Sequence, residues 1–331
     1  MLITNNPESK LTRRELLGTV AAFALSQAQI QARDEHEAMR GLFPIMATPY
    51  TKSKQVDYED LAREVDFLNR CGVPGMAWPQ LFGESSKLSP EERRKGMEVI
   101  AKAGKEGKAA IVLGVDGPNT KSALAYLEFA EALNPSAVIA LPPTEAKTLD
   151  DVMGYYRALA RATKRPIFVQ NADIGNGVTP SVEALIQLAQ EYPHCGYFKE
   201  EIQPAIQRMI RLSSSRPPVR RVFAGDGGKN FMYVLRLGLD GVMAGNAYAD
   251  AFVQVWDLWE AGQQKKAQEI YSKIALLLTC EGYLPGTRQY IMMKRGIFKT
   301  MLSRRDEFSL SREATKEIDF HFEALKPHLL V

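Results

Sequence analysis

The chain predicts an α/β protein, a (β/α)8 (TIM) barrel with a C-terminal helical extension. Three observations predict it. Eight short apolar runs alternate with helical patterns over roughly 220 residues from Gly41 onward, which is the arithmetic of an eightfold β/α barrel. No glycine-rich dinucleotide loop follows the first run, where Met46-Ala47-Thr48-Pro49-Tyr50 departs from G-x-G-x-x-G; this sets a doubly wound open sheet second. The 331 residues are 45% hydrophobic and 9% aromatic, enough for a large core.

Residues 1–35 read as an address. Thr12-Arg13-Arg14-Glu15-Leu16-Leu17 matches the twin-arginine export pattern, although Gly18 stands where a lysine is usual. An apolar stretch from Leu16 to Leu25 follows, too short to cross a bilayer. Ser26-Gln27-Ala28 and Ile30-Gln31-Ala32 are cleavage candidates. The expected location is therefore the periplasm, with a frayed amphipathic helix on a cytoplasmic protein as the alternative.

The barrel is expected over 36–255. Its strand candidates are Leu42–Ala47, Gly75–Trp78, Ala109–Val115, Ala137–Leu141, Pro166–Val169, Gly196–Phe198, Arg221–Ala224 and Gly241–Met243. Between them, Asp57–Arg70 spaces Leu61, Val65 and Leu68 as a helix does. Ser89-Pro90-Glu91-Glu92 opens the next helix, with Ser89 as N-cap and Pro90 in the first position. Thr120–Ala132 and Leu149–Thr163 are amphipathic. Thr179-Pro180-Ser181 starts another helix, and Gln203–Leu212 and Asn230–Leu237 continue the alternation. Residues 256–331 read as a helical segment packed on the barrel: Trp256–Gly262, Lys265–Leu278, Gly286–Met301 and Ser311–Leu325.

Composition excludes several function classes. The net charge is +3, from 42 basic and 39 acidic residues, with no basic stripe interleaved with aromatics, so nucleic acid is not an expected partner. No apolar run beyond the N-terminus is long enough for a membrane span. Cys71, Cys195 and Cys280 lie far apart and the four histidines form no cluster, so no metal site is expected; a single disulfide is allowed but not required.

In such a barrel, chemistry gathers at the carboxyl ends of the strands. There the chain offers Thr48-Pro49, Gln80-Leu81-Phe82-Gly83-Glu84-Ser85, Asp116-Gly117, Pro142-Pro143-Thr144, Gln170-Asn171, Lys199, Gly225-Asp226-Gly227-Gly228 and Gly245-Asn246. Lys199 is the decisive residue. It ends the sixth run, Gly196-Tyr197-Phe198-Lys199, where burial disfavours the ammonium and frees an amine for attack on a ketone. Glu201 would oppose this by stabilising the ammonium, and the chain is expected to leave the strand before Glu201 points inward.

Order and spacing of these landmarks resemble the dihydrodipicolinate synthase and N-acetylneuraminate lyase family of Schiff-base aldolases. The resemblance runs from about residue 40 to 325 and rests on Thr48-Pro49, Gly83-Glu84-Ser85, Leu88, Ser89-Pro90-Glu91-Glu92, Phe198-Lys199-Glu200, Gly225-Asp226 and Gly245-Asn246. It implies that Lys199 forms an imine with pyruvate or another 2-oxo acid, such as a 2-keto-3-deoxy sugar acid. It implies no metal or organic cofactor, and a homotetramer. It implies a carboxylate site at the backbone of Leu81, Phe82 and Gly83, with Thr48, Asn171, Gly225, Gly245 and Asn246 as further substrate contacts.

The chain departs from the family pattern in its proton relay. Leu81 and Phe82 replace two threonines. Gln170 replaces the tyrosine of strand five, and an amide is no practical acid or base. Pro142-Pro143-Thr144 lacks a second tyrosine, and Asp173-Ile174-Gly175-Asn176 lacks the arginine that reads a second carboxylate, which argues against true dihydrodipicolinate synthase activity. Tyr197, two residues before Lys199 and on the same strand face, is the candidate to refill the space left at Gln170 and to take over proton transfer. The expected activity is a carbon–carbon or carbon–oxygen lyase. The alternatives are a 2-oxo acid binding protein of the same fold with impaired catalysis, and a phosphosugar barrel cradling phosphate on Gly225-Asp226-Gly227-Gly228 and Gly245-Asn246.

Overall fold

The computed structural model describes residues 39–175, 177–305 and 307–331. The export segment and its cleavage candidates lie outside the described residues. Arg40–Val331 forms one compact unit. Its strands are β1 (Gly41–Leu42), β2 (Gly75–Trp78), β3 (Ala110–Gly114), β4 (Ala137–Ala140), β5 (Ile167–Asn171), β6 (Tyr197–Glu200), β7 (Arg221–Gly227) and β8 (Gly241–Ala244). All paired strands are parallel, in the order β1-β8-β7-β6-β5-β4-β3-β2. Bridges from Ile45 to both Ala77 and Gly245 bring the first and second strands together and close the ring. The named strand ends at Leu42, within the expected run Leu42–Ala47 where Pro44 has no N–H to give, but Phe43 and Ile45 still donate to the Val242 and Ala244 carbonyls at 3.0 and 2.9 Å.

Each strand leads into a helix: α1 (Tyr58–Arg70), α2 (Pro90–Ala103), α3 (Thr120–Ala132), α4 (Leu149–Ala162), α5 (Val182–Glu191), α6 (Ala205–Ser213), α7 (Phe231–Arg236) and α8 (Ala249–Glu260). The first five start on a side-chain cap. Asp57, Ser89, Asn119, Thr148 and Ser181 each accept the backbone N–H three residues on, satisfying a donor that the helix itself leaves orphaned. At Ser89 and Thr148 the cap is reciprocal, through Glu92 and Asp151.

Three more helices follow: α9 (Gln264–Tyr283), α10 (Thr287–Lys294) and α11 (Arg312–Leu325). The boundary expected after residue 255 falls inside α8, and Trp256 of that helix stacks on Phe231 with ring centroids 6.2 Å apart. The helix expected over Gly286–Met301 is shorter. It ends at Lys294, and Gly296 at φ 72° turns the chain into a loop. That loop is tied back to the barrel. Lys299 reaches Asp57 at 3.1 Å and Glu59 at 2.7 Å, and Arg304 makes a two-pronged pair with Glu92 at 2.6 and 2.7 Å. The three cysteines are buried and free.

The barrel interior is plugged by aromatic rings. Phe43 and Phe168 each lie 5.2 Å from Phe223, edge to face, and Tyr197 is 5.5 Å from Phe168. Glycines make room for them: a Cβ on Gly75 would stand 2.2 Å from the Phe43 ring, and one on Gly241 2.4 Å from Phe223.

Above this plug, Glu64 of α1 ties two strand ends together. Its Oε1 accepts the Ala47 N–H at 3.1 Å and Asn246 Nδ2 at 2.6 Å, while Oε2 is buried without a partner. Burial pushes its carboxyl up to about 8, against the two hydrogen bonds. Below the ordinary carboxyl value of 4.5 the group is protonated whether the chain is folded or not. Between 4.5 and about 8 the unfolded chain releases the proton and the folded chain keeps it, so stability falls as pH rises. Glu64→Gln supplies the neutral form at every pH. Its urea midpoint is expected to fall less steeply than that of wild type between about pH 5 and 8. Parallel slopes in the two proteins would contradict the assignment.

Candidate active site

Strand alternation turns Tyr197 and Lys199 of β6 into the barrel, with Phe198 and Glu200 toward the helices. Lys199 pairs in register with Gln170 of β5 and Phe223 of β7, one layer above Tyr197. Its side chain is 6% exposed and opens on a cavity of about 280 Å³ at the carboxyl ends of the strands.

The amine is not alone. Lys199 Nζ stands 3.3 Å from Oε2 of Glu201. β6 ends at Glu200, as expected, but the next residue still aims its carboxylate inward. The expectation that Glu201 would point away is therefore corrected. The reason lies on the neighbouring strand: Gly225 of β7 has no side chain, and a Cβ there would stand 2.0 Å from Glu201 Oε1. The carboxylate fills that notch. It accepts Gln170 Nε2 at 2.6 Å on Oε2 and the Asp226 N–H at 3.3 Å on Oε1. Gln170 thus holds a carboxylate beside the amine, on the strand that neighbours Lys199.

A second buried charge lines the cavity from outside the strands. Arg288 of α10 donates to Glu281 of α9 through Nε at 3.0 Å and through Nη2. Tyr248 Oη also donates to Glu281, at 3.0 Å. The Arg288 guanidinium lies 4.0 Å over the Phe82 ring. Gly245 at the end of β8 makes the space, since a Cβ there would meet the guanidinium carbon at 2.5 Å. Burial opposes the Arg288 charge, yet the charge and hydrogen bonds of Glu281 hold it above its ordinary value.

Of the residues picked out from the sequence, the cavity brings together Lys199, Gln170, Glu201, Gln80, Leu81, Phe82, Asp226, Gly227 and Gly245. The others lie outside its lining. Thr48 is a brace, its hydroxyl donating to the Gly83 carbonyl and accepting Trp78 Nε1 at 3.0 Å. Gly83 passes close to the first strand, where a Cβ would be 2.9 Å from the Met46 carbonyl. Tyr197 belongs to the aromatic plug beneath Lys199. Asn171 faces the helices and donates to both oxygens of Glu200, at 3.1 and 2.9 Å. Gly225 and Asn246 serve Glu201 and Glu64 respectively.

The sequence reading missed Arg288 and Glu281, which come from helices remote from the strand ends, and placed Gln80 at a strand end without giving it a role. Gln80 Nε2 donates to the Pro79 carbonyl at 2.9 Å and to Asp116 at 3.3 Å. Its Oε1, like that of Gln170, is buried without a protein partner, and both residues are 1% exposed. Among the described residues no group of three or more His, Cys, Asp or Glu side chains is placed to hold a metal ion.

Comparison with known proteins agrees with this architecture. Residues 38–321 match the Dihydrodipicolinate synthetase family. A 4-hydroxy-tetrahydrodipicolinate synthase of Parabacteroides distasonis is 26% identical over 261 residues, 77% of this chain and 87% of that protein. An L-2-keto-3-deoxyarabonate dehydratase of Azospirillum brasilense is 24% identical over 292 residues, 84% of this chain and 92% of that one. The crystal structure of a chloride-inhibited dihydrodipicolinate synthase from Acinetobacter baumannii, complexed with pyruvate, shares the fold with a TM-score of 0.77 at 21% identity, covering 87% of this chain and 99% of that one. An amine at the carboxyl end of the sixth strand of a closed parallel barrel, and a family match across nearly all the described residues, lead to one conclusion: this chain belongs to the dihydrodipicolinate synthetase family of Schiff-base lyases and aldolases.

Proposed function

We propose that the protein is a lyase acting on a hydroxylated 2-oxo acid, with Lys199 as the imine-forming amine and Glu201 as the proton carrier. The observation that carries this reading is the Lys199–Glu201 pair at 3.3 Å inside the cavity. A lysine that arrives protonated needs a base beside it before it can attack a ketone. Glu201 takes that proton as the nitrogen bonds to C2. It returns that proton to the C2 oxygen, then takes a second proton from the added nitrogen and delivers it to the same oxygen, which leaves as water and yields the iminium. The iminium draws electrons from C3. In dehydration Glu201 takes a proton from C3 to give the enamine and returns it to the C4 hydroxyl, which leaves as water. In aldol cleavage the C4 hydroxyl of the iminium gives its proton to Glu201 as the C3–C4 bond breaks to an aldehyde and the enamine. In both, water then hydrolyses the imine and frees Lys199. Gln170 cannot titrate, but its amide fixes where that carboxylate points.

The polar side chains of Gln80, Gln170, Glu201 and Asp226 in the cavity lining suit a hydroxylated substrate. The dehydratase name of the Azospirillum relative points to the same substrate class. The missing arginine after β5, where Asp173-Ile174-Gly175 stands, weighs against a second dicarboxylate partner. The phosphosugar alternative loses its support at the glycines themselves. Gly225 is filled by a carboxylate and Gly245 by Arg288.

Borohydride reduction in the presence of pyruvate tests the imine. One reduced adduct is expected on the peptide containing Lys199 and none in Lys199→Ala. An adduct elsewhere, or no adduct, would remove the reading; an adduct without turnover on any sugar acid would favour a binding protein. Proton transfer is tested on the best substrate of a panel of 3-deoxy-2-oxo sugar acids. Glu201→Gln is expected to lower kcat by about 100-fold or more and to form the adduct more slowly but to the same end point, whereas Tyr197→Phe changes kcat by less than about threefold. The reverse ranking would move the proton carrier to Tyr197.

A further inference from the structure

We infer that Arg288, contributed by the C-terminal helices, binds the carboxylate of the 2-oxo acid and sets the preference of this cavity for anionic ketones. The inference rests on the imine reading of Lys199 and adds a second fixed point for the substrate. Three cations line the cavity: Lys199, Lys229 and Arg288. Lys229 is 57% exposed and pairs with an equally exposed Asp226 at 3.5 Å, so water screens it. Lys199 is consumed by the ketone. Arg288, only 11% exposed, is the remaining buried cation.

Its geometry leaves a binding edge free. Nε and Nη2 are committed to Glu281. Nη1 has no hydrogen-bond partner among the described residues. The guanidinium plane cannot swing away, because Phe82 covers one face at 4.0 Å and Glu281 fixes its orientation. A carboxylate at the free edge would be held by charge-assisted hydrogen bonds in a largely dry site, where they are strongest. The position suits the substrate's shape. Arg288 overhangs Gly245 just beyond β8 and Phe82 beyond β2, and it lines the cavity onto which Lys199 opens. The C1 carboxylate of a 2-oxo acid is bonded to the carbon that Lys199 attacks, so its partner must open into the same cavity. Leu81 and Phe82, whose backbone the family resemblance gives to that carboxylate, line it together with Arg288, and the guanidinium adds a positive charge to those neutral donors. Gly245 is the sequence mark of this arrangement: any side chain there would push the guanidinium off its seat.

The test compares pyruvate with methyl pyruvate, which keeps the ketone and lacks the charge. Arg288→Met alone would leave the Glu281 carboxylate buried and unpaired, so the variant used is Arg288→Met with Glu281→Gln. In borohydride trapping, the half-saturating concentration of pyruvate is expected to rise about tenfold or more in the variant, and that of methyl pyruvate to stay within about twofold. Gly245→Ala, which displaces the guanidinium without altering its charge, is expected to shift the two ligands in the same unequal way. Equal shifts for both ligands, or none, would overturn the role of Arg288. A separate arm does not depend on the imine. In a Lys199→Ala background, pyruvate is expected to raise the Tm, and the Arg288→Met/Glu281→Gln changes are expected to abolish that rise. Wild type that traps neither ligand would refute the imine, and the Tm arm would still decide the arginine: an equal rise with and without Arg288 would refute it.

Discussion

The contact between the Lys199 amine and the Glu201 carboxylate organises everything around it. A charged pair in a mostly buried cavity survives only where other groups complete its hydrogen bonds. Here Gln170 and the Asp226 N–H do so, and Gly225 provides the room. The pair also explains the strand-five departure. An amide at residue 170 is a poor proton carrier but a good donor to a carboxylate, so the change at one strand matches the acid that follows the next.

The C-terminal helices complete the cavity. α9 and α10 bring Glu281 and Arg288 over the strand ends, and the loop beyond Gly296 anchors the loop after β2. Glu84 is the hub of that anchorage. Its carboxylate accepts Ser303 Oγ at 2.6 Å, the backbone N–H groups of Arg304 and Arg305 at 3.0 and 3.2 Å, and Tyr50 Oη at 3.2 Å. Those bonds hold a non-glycine residue at φ 56°. The shape of the substrate pocket therefore depends on chain segments more than 200 residues away in sequence from the loop they brace.

The barrel was legible because its signals are local. Apolar runs, caps such as Ser89 with Pro90, and glycine stops report secondary structure residue by residue. Lys199 was legible for the same reason, as the polar end of an apolar strand. The cavity's second half was not. Nothing local marks Arg288 as buried, since a helical arginine reads as a solvated one. Glu201 was misjudged because strand periodicity ceases at the strand end, where the backbone turn and the empty space at Gly225 decide direction. Asn171 and Asn246 matched the pattern of strand-end polar residues, yet alternation turned Asn171 outward to Glu200, and Asn246, just beyond β8, is held by Glu64 of α1. In retrospect the glycines carried the missing information: Gly225 and Gly245 each record a side chain that approaches from elsewhere.

The most direct measurement of the central claim is exchange of the pyruvate methyl protons for deuterium, followed by NMR in D2O. Exchange requires both the imine on Lys199 and a base that removes a proton from C3. The predicted result is exchange above the buffer rate with wild type, none above it with Lys199→Ala, and strong slowing with Glu201→Gln even after its slower adduct has formed. Methyl protons that stay in place with wild type, or that exchange as fast with Glu201→Gln, would contradict the account.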